Sequence, residues 1–241
     1  MATQNFSPSP RRQRGRPKKD EFKRPLKDLL IDAAVTVVSA HGTTDASARE
    51  VADAVGVQPA SINYNFGSWN DLIAQAALQA YFGYSERIWS AALSAAKTPE
   101  ARLTAFLREQ LAWAEEESGW AAFFNFPKSA QTASDILFGR FGEQMRQGFE
   151  LNYGRLYRLV RDVREGIVTD DPEWAQKTGR EAILADTELL TEAIVISWTS
   201  LGMQIWGSRH QVDQLGGDHL RDYNARAQDR AIEKILQSLT A

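Results

Sequence analysis

The sequence predicts an all-α fold in which a small N-terminal three-helix unit with a helix-turn-helix is followed by a larger C-terminal helical bundle. Apolar residues recur three and four positions apart through most of the chain, and no alternating strand pattern persists. Capping residues mark several separate helix starts. With 241 residues, 43% of them hydrophobic, the chain is long enough to bury a core. We expect a flexible basic arm at 1–24, the helix-turn-helix domain at 25–80 and the helical bundle at 81–241.

The predicted arm is strongly basic, although the whole chain carries a net charge of −3. Nine Lys/Arg and two acidic residues lie between positions 11 and 27, a local charge of +7 that leaves −10 for the remainder. An Arg-Gly-Arg-Pro run resembles the core of an AT-hook, in which arginines enter the narrow minor groove of A·T-rich DNA. On this interpretation Arg14 and Arg16 enter the minor groove, whereas Lys18 and Lys19 bind phosphates. A solvated basic tail is the alternative.

The helix-turn-helix domain should begin with a supporting helix over residues 25–41, which Gly42 ends. Ser47 and Glu50 then form a capping box, in which each side chain satisfies a free backbone amide at the start of a helix. Gly56 supplies the backbone freedom that ends this helix. The predicted second helix is therefore short and has marked ends.

A third helix should follow a three-residue turn, because Pro59 has the fixed dihedral angle suited to a first helical position. Ile62 and Phe66 are four residues apart and should both face the core. The other side chains of this segment then face outward: Gln58, Ser61, Asn63, Tyr64 and Asn65. Two short helices joined by a glycine turn match the geometry that lays a helix in the DNA major groove. Residues 25–80 are therefore predicted to bind DNA.

Residues 57–72 resemble the recognition helix and following linker of transcriptional regulators of the TetR/AcrR family. The stretch reads VQPASINYNFGSWNDL, and the likeness extends from about residue 26 to about residue 80. Asn63, Asn65 and Trp69 stand where many members have tyrosine, histidine and lysine. The resemblance implies a DNA-binding transcriptional regulator, more often a repressor than an activator. It also implies a homodimer whose connecting helix moves in response to a small-molecule effector.

Three outward side chains are predicted to read base edges: Gln58, Ser61 and Asn65. Amide groups both donate and accept hydrogen bonds, so they pair with base edges in the major groove. Asn63 and Tyr64 should contact either bases or phosphates. The predicted base contacts are therefore uncharged.

Other residues of the domain should position it on the DNA. Arg49 is expected to bind a phosphate, and Pro59 and Ala60 should permit close approach. Trp69 is open to two interpretations, an indole hydrogen bond to a phosphate or packing against the apolar residues that follow it.

A long helix should connect the two domains, with Ser68 as its N-terminal cap and an end near residue 96. Thr98 and Asp171 each precede a proline, and each should begin a further helix. The second domain is therefore expected to be helical throughout.

Two long amphipathic segments close the chain, over residues 181–206 and 218–239. An apolar stripe on one helix also fits intramolecular core, but this pair carries surplus apolar surface, which indicates a four-helix interface between two copies. The residues expected there are Leu190, Ile194, Leu201, Ile205, Leu220, Tyr223, Ala227 and Ile235. A two-fold homodimer would read a palindromic operator in double-stranded DNA. Residues 81–241 are thus predicted to be a regulatory and dimerisation domain.

Bulky aromatic residues are concentrated in the central region, at residues 89–174. Aromatic walls with a few polar groups suit a pocket for a small apolar or aromatic effector. Ordinary core packing uses the same rings, so both interpretations stay open at this point. The residues assigned to a pocket are Trp89, Trp113, Phe123, Asn125, Tyr153, Tyr157 and Trp198.

The composition argues against an enzyme. The chain has three histidines and no cysteine, and it lacks a nucleophile elbow, a phosphate-binding glycine loop and the His-Glu-x-x-His zinc pattern. We therefore predict no catalytic residues, no metal site and no cofactor. No apolar run approaches the roughly 20 residues that cross a bilayer, so we expect a cytoplasmic protein without a membrane partner.

An effector-independent architectural protein, which binds DNA through its basic arm, is the alternative function. The outward amides of Gln58, Asn63 and Asn65 distinguish the two, because an architectural binder needs little beyond Lys and Arg. These amides favour a sequence-specific regulator.

Overall fold

The computed structural model describes residues 24–175, 181, 184–206, 214 and 218–240. Within these residues every regular element is helical, which confirms the predicted all-α fold. The helices are α1 (Leu26–Asp45), α2 (Ala48–Val55), α3 (Ala60–Phe66), α4 (Trp69–Ser94), α5 (Pro99–Glu116), α6 (Ser118–Asn125), α7 (Gln131–Arg140), α8 (Gly142–Glu165), α9 (Thr187–Trp206) and α10 (Asp218–Thr240). Short 3₁₀ turns lie at Pro127–Ala130 and Glu173–Ala175.

Helix α1 is the scaffold of the N-terminal three-helix unit. Leu30, Ala34 and Val38 are fully buried on one of its faces. The helix extends to Asp45, beyond the predicted end, but Gly42 interrupts it with φ of 75° and ψ of 169°. Because a positive φ is readily adopted only by glycine, the chain bends at Gly42 instead of leaving the helix there.

Helix α2 begins and ends as the sequence predicts. The Ser47 amide donates to the Glu50 carboxylate at 2.9 Å, and the Glu50 amide donates to the Ser47 hydroxyl at 3.3 Å. Gly56 follows the helix in the left-handed region, at φ of 79° and ψ of 27°. The tight turn that this conformation allows brings α3 back against α2.

Two hydrophobic cores, joined by α4, hold the described helices together. The first core unites α1 to α4 with α6 and α7, around residues such as Ile62 and Trp120. The second unites the C-terminal half of α4 with α5, α8, α9 and α10, around Trp89 and Trp174. The domain boundary that we expect at residue 80 therefore lies inside α4, and the first core extends past it.

Helix α6 packs directly on α1. Trp120 is fully buried, and its indole Nε1 donates to the Val35 carbonyl at 2.9 Å. A Cβ atom on Gly119 would lie only 1.8 Å from the Val38 carbonyl oxygen. The two backbones thus approach more closely than any side chain at that position would allow. This contact ties the C-terminal bundle to the three-helix unit.

Helix α9 begins later than the predicted residue 181. The Asp186 carboxylate accepts hydrogen bonds from two backbone amides of the first turn, at 3.1 and 3.0 Å, and so caps the helix. Before it, the expected helix after Asp171 begins as the 3₁₀ turn Glu173–Ala175, and residues 176–180 lie outside the described residues. One face of α9 lies in the second core, whereas Val195 and Trp198 are 50% and 67% exposed.

Helix α10 closes the second core. Ile232, Ile235 and Leu239 are buried there, and Leu236 packs against them. The C-terminal half of this helix therefore stabilises its own chain.

Candidate nucleic-acid interface and ligand cavity

Helix α3 is held in place by its apolar face. Ile62 is fully buried and Phe66 is 8% exposed, both in the first core. The Val57 amide donates to the Ala52 carbonyl at 2.9 Å, which fixes the turn between α2 and α3. Gly67 ends the helix at φ of 91°. The opposite face of α3 is therefore presented to solvent by a rigid support.

The outward face of α3 is mostly uncharged and polar. Five predicted contact residues are exposed along α3 and the turn before it: Gln58, Pro59, Ala60, Asn63 and Tyr64. Tyr64 is 81% exposed. Ser61 and Asn65 are half-buried, and the Asn65 Nδ2 donates to the Ser61 carbonyl at 2.7 Å. That bond leaves Asn65 fewer free donors than the exposed amides of Gln58 and Asn63.

Arg49 lies on α2 and is exposed. Its Nε lies 3.6 Å from the Asp53 carboxylate one turn later, and both side chains are mostly in water. An ion pair this exposed contributes little to stability, so the guanidinium stays available to a phosphate.

The described part of the helix-turn-helix region has little positive charge of its own. Residues 24–67 contain three Lys/Arg and five Asp/Glu, and Arg24 is paired with Asp32 at 2.7 Å. The four predicted arm contacts lie outside the described residues: Arg14, Arg16, Lys18 and Lys19. The attraction of a protein for phosphates grows with the number of its cations. The affinity of this chain for a polyanion such as DNA would therefore depend on the basic N-terminal segment.

Lys27 is a further cation near α3, and no local pattern in the sequence marks it as a contact residue. Its ammonium lies 5.3 Å from the centre of the Phe66 ring, at the C-terminal end of α3. Lys27 is exposed, so it can neutralise a phosphate beside this helix. The two residues are far apart in the chain, and only the packing of α1 on α3 brings them together.

Trp69 is half-buried and packs against the first core. It follows Ser68, whose hydroxyl accepts from the Asp71 amide at 3.1 Å and caps α4. Of the two interpretations of Trp69, this geometry supports packing.

A cavity of about 310 Å³ lies between α4, α5, α6, α8 and α9. Small-molecule sites span roughly 300–1,000 Å³, so this cavity is at the small end of that range. Eight of its sixteen lining residues are aromatic, and none is charged. Four of the predicted pocket residues line it: Trp113, Asn125, Tyr153 and Trp198.

The other three predicted pocket residues do not line this cavity. Phe123 faces the first core beside Trp120, with ring centres 5.8 Å apart. Trp89 and Tyr157 are buried in the second core. A helical aromatic residue serves core or cavity according to the face on which it lies, and composition does not reveal that face.

Asn152, a candidate polar anchor by its place among the central aromatic residues, organises the polar part of the cavity wall. Its Oδ1 accepts from the Ser85 hydroxyl at 2.6 Å and from the Trp89 Nε1 at 2.8 Å. Its Nδ2 donates to the Tyr81 hydroxyl oxygen at 2.8 Å. All three partners lie on α4 whereas Asn152 lies on α8, so no local sequence signal could have joined them.

Two tyrosine hydroxyls of α4 line the cavity in their neutral form. Burial raises the pKa of Tyr81 and of Tyr84 far above the usual range. On the neighbouring wall the Ser200 hydroxyl donates to the Gln110 Oε1 at 2.6 Å, and both residues are buried. The polar groups of the wall are thus neutral hydroxyls and amides.

The residues expected at a dimer interface lie in several environments. Leu190 and Ile194 are half-buried, and Ala227 is exposed. Leu201 lines the cavity, and Ile235 is only 7% exposed because it completes the second core of its own chain. Three of the expected residues lie in described helices but have side chains that the structure does not describe: Ile205, Leu220 and Tyr223.

In the described ranges, no group of His, Asp and Glu side chains is arranged to hold a metal ion. None of the helices that the structure describes is long and apolar enough to cross a membrane.

Comparison with known proteins gives matches in the same region. Residues 30–76 match the family described as bacterial regulatory proteins, tetR family. The HTH-type transcriptional regulator BetI of Rhizobium meliloti is 31% identical over 113 residues, which is 45% of this chain and 55% of that protein. BetI of Brucella canis is 31% identical over 108 residues, 44% of this chain and 54% of that protein. The chain thus spans about half the length of these curated relatives.

Two solved structures share the fold over most of the chain. One, from Pseudomonas aeruginosa PAO1, is described as a candidate transcriptional regulator and has a TM-score of 0.53 at 19% identity, covering 88% of this chain and 90% of that one. The other is the fatty acid degradation regulator FadR from Bacillus halodurans, with a TM-score of 0.53 at 16% identity, covering 92% and 97%. The family match covers most of α1, the capped helix α2, the helix α3 and the start of α4. Residues 30–76, the helix-turn-helix region of this chain, are therefore similar to the tetR family of bacterial regulatory proteins.

Proposed function

We propose that this chain is a sequence-specific DNA-binding transcriptional regulator of the cytoplasm, a repressor that binds a palindromic operator as a homodimer. We further propose that a small apolar or aromatic effector controls this binding. The observation that carries the proposal is the outward face of α3, where uncharged polar side chains are exposed on a helix whose other face is buried.

Base recognition follows from the chemistry of that face. Gln58 and Asn63 carry free amides, which pair with adenine and other base edges in the major groove. Gln58 stands at the N-terminal end of α3, the end that contacts bases in helix-turn-helix proteins. Pro59 and Ala60 are small and exposed there, so they allow close approach. Tyr64, Ser61 and Asn65 supply the remaining polar contacts.

Phosphate binding is assigned to cations around α3. Arg49 and Lys27 are exposed near it, and residues 1–24 add eight of the 28 Lys/Arg of the chain. These contacts give affinity without sequence preference. Affinity and specificity are thus proposed to reside in different residues.

A homodimer is supported by the exposed stripe on α9. Thr191, Val195 and Trp198 lie on one face of this helix, and the two apolar members are 50% and 67% exposed. Large exposed apolar side chains in register favour an interaction surface. One α3 contacts few base pairs, so a two-fold pair would read a longer site.

Effector control is supported by α6, which takes part in two contacts. Phe124 and Asn125 line the cavity, while Gly119 and Trp120 pack on α1. A molecule that moves the cavity wall would therefore move the support of α3. Helix α4 offers a second route, because Tyr81 lines the cavity and Ser68 caps the same helix just after α3.

Selection of bound duplexes from a random DNA pool tests the proposal. The full chain should enrich a palindrome whose half-sites are about one helical turn apart, or a multiple of that. Footprinting at moderate salt should then protect that sequence over a scrambled duplex of the same composition. Equal binding to both duplexes would instead favour the effector-independent architectural protein.

A further inference from the structure

Neighbouring groups fix the direction of one hydrogen bond in the cavity wall. The indole nitrogen of Trp89 can only donate, so the Asn152 atom 2.8 Å away is the oxygen Oδ1. The Ser85 hydroxyl donates to the same oxygen at 2.6 Å. The Nδ2 of Asn152 therefore points to the Tyr81 hydroxyl, 2.8 Å away, and donates to it.

The Tyr81 hydroxyl is thus left with a free proton. Its oxygen accepts from Asn152, and among the described residues no group accepts the hydroxyl hydrogen in return. Tyr81 lines the cavity, and burial raises its pKa so that the hydroxyl stays protonated. The cavity wall therefore offers a donor to whatever occupies it.

Close packing holds the Tyr81 ring in position. A Cβ atom on Gly148 would lie 2.6 Å from the Tyr81 Cε1, so α8 lies directly against the ring. The rings of Phe149 and Phe124 contact it edge to face, with centres 5.2 and 5.7 Å away. Because the Tyr81 side chain is already held in place, it loses little conformational entropy when its hydroxyl binds a ligand.

The same wall is unsuited to an ion. None of the cavity-lining residues carries a charge, and an ion buried without a partner loses its hydration uncompensated. The aromatic rings favour an apolar body, while the amides and hydroxyls favour neutral polar groups.

We propose that the cavity takes an uncharged molecule with an apolar, ring-sized body and one hydrogen-bond acceptor, and that the Tyr81 hydroxyl donates to this acceptor. The identification of that molecule as an effector rests on the proposed function, whereas its binding does not.

Four probes that share a phenyl ring test the proposal on the full chain in the absence of DNA. They are acetophenone, isopropylbenzene, benzoate and phenyltrimethylammonium. Calorimetric titration should give acetophenone an affinity roughly three- to tenfold above that of isopropylbenzene, which has no acceptor. Both charged probes should bind more weakly than acetophenone.

Substitution of Tyr81 tests the donor itself. In Tyr81→Phe the preference for acetophenone over isopropylbenzene should disappear. The matched control is Tyr157→Phe, since Tyr157 is buried outside the cavity, and it should keep the preference. If Tyr81→Phe does not fold, the ratio of the two neutral probes in the unmodified chain still tests the hydrogen bond.

Several results would overturn the inference. Equal affinities of the two neutral probes, or a preference that survives in Tyr81→Phe, would exclude the Tyr81 donor. Tight binding of phenyltrimethylammonium through the rings, or of benzoate, would exclude an uncharged ligand. No binding by any probe would exclude the cavity as a site. A chain that binds acetophenone as expected but no operator would contradict the proposed function alone.

Discussion

At the residue scale, Ser47 determines how α2 starts and so how α3 is supported. Its hydroxyl oxygen accepts from the Glu50 amide, and its own amide donates to the Glu50 carboxylate. The pKa of the Glu50 carboxyl is lowered because it accepts hydrogen bonds from the Ser47 side chain and backbone. The charged form of Glu50 is therefore the form that completes the cap.

Ser47→Ala should destabilise the chain by about 1 kcal/mol, since a lost helix cap costs roughly 0.5–2 kcal/mol. Urea unfolding followed by circular dichroism measures the change. Ser90→Ala is the control, because Ser90 is exposed in the C-terminal part of α4 and alanine is the better helix former there. Equal losses from both variants would contradict the role of the cap.

Residues whose contacts lie within a few positions of them in the chain could be predicted from the sequence. The caps at Ser47 and Ser68 and the turn at Gly56 each operate within a few positions. The contacts of Lys27 and Asn152 could not be predicted, because their partners Phe66 and Tyr81 are distant in the chain. Their roles exist only after the helices have packed.

At the element scale, α6 links the cavity to the DNA-facing unit by a backbone contact. Gly119 permits this contact, because a Cβ atom there would meet the Val38 carbonyl oxygen at 1.8 Å and the Gly42 Cα at 2.9 Å. Trp120 adds a hydrogen bond to α1. The close approach of α6 to α1 is therefore possible because Gly119 has no Cβ atom.

Gly119→Ala should push α6 away from α1 and destabilise the chain by roughly 1–3 kcal/mol, the usual cost of overpacking. Thermal and urea unfolding report the loss. Gly83→Ala is the matched control, because nothing lies within 4 Å of its Cβ position on α4, and it should stabilise by about 0.5–1 kcal/mol. If Gly119→Ala left the free energy of unfolding unchanged, the two helices would be free to separate.

The existence of the long helices follows from periodicity, but their partners do not. Ile235 lies in an apolar stripe that predicts an interface between two copies, yet it fills the core of its own chain. Val195 and Trp198 remain exposed instead. An apolar stripe predicts that one face of a helix is buried. Whether that face packs in the core of its own chain or against a second copy depends on the arrangement of the neighbouring helices.

At the scale of the whole molecule, positive charge is concentrated in residues 11–27 and negative charge in the remainder of the sequence. The chain carries −3 in total, whereas residues 11–27 carry +7. The remainder of the sequence carries −10 and so repels DNA on balance, and the basic segment has to offset this. This separation could be predicted from the sequence, because it depends only on where charged residues occur.

Removal of residues 1–23 should weaken binding to all DNA sequences and flatten its salt dependence. Each lost phosphate contact should reduce the slope of log affinity against log salt by about 0.9. The matched control removes residues 1–10, which include no Lys, Arg, Asp or Glu. Fluorescence anisotropy over a salt series measures both. An unchanged slope after the longer deletion would show that residues 1–23 make no phosphate contacts.

The most direct test of the central claim, that α3 reads base edges, is the ratio of affinities for the selected operator and for a scrambled duplex. Gln58→Ala should lower this ratio by about 1 to 3 kcal/mol in free energy and relax one position of the site. Arg49→Ala should weaken binding to both duplexes alike and leave the ratio unchanged. Identical losses on both duplexes for Gln58→Ala would contradict base recognition by this helix.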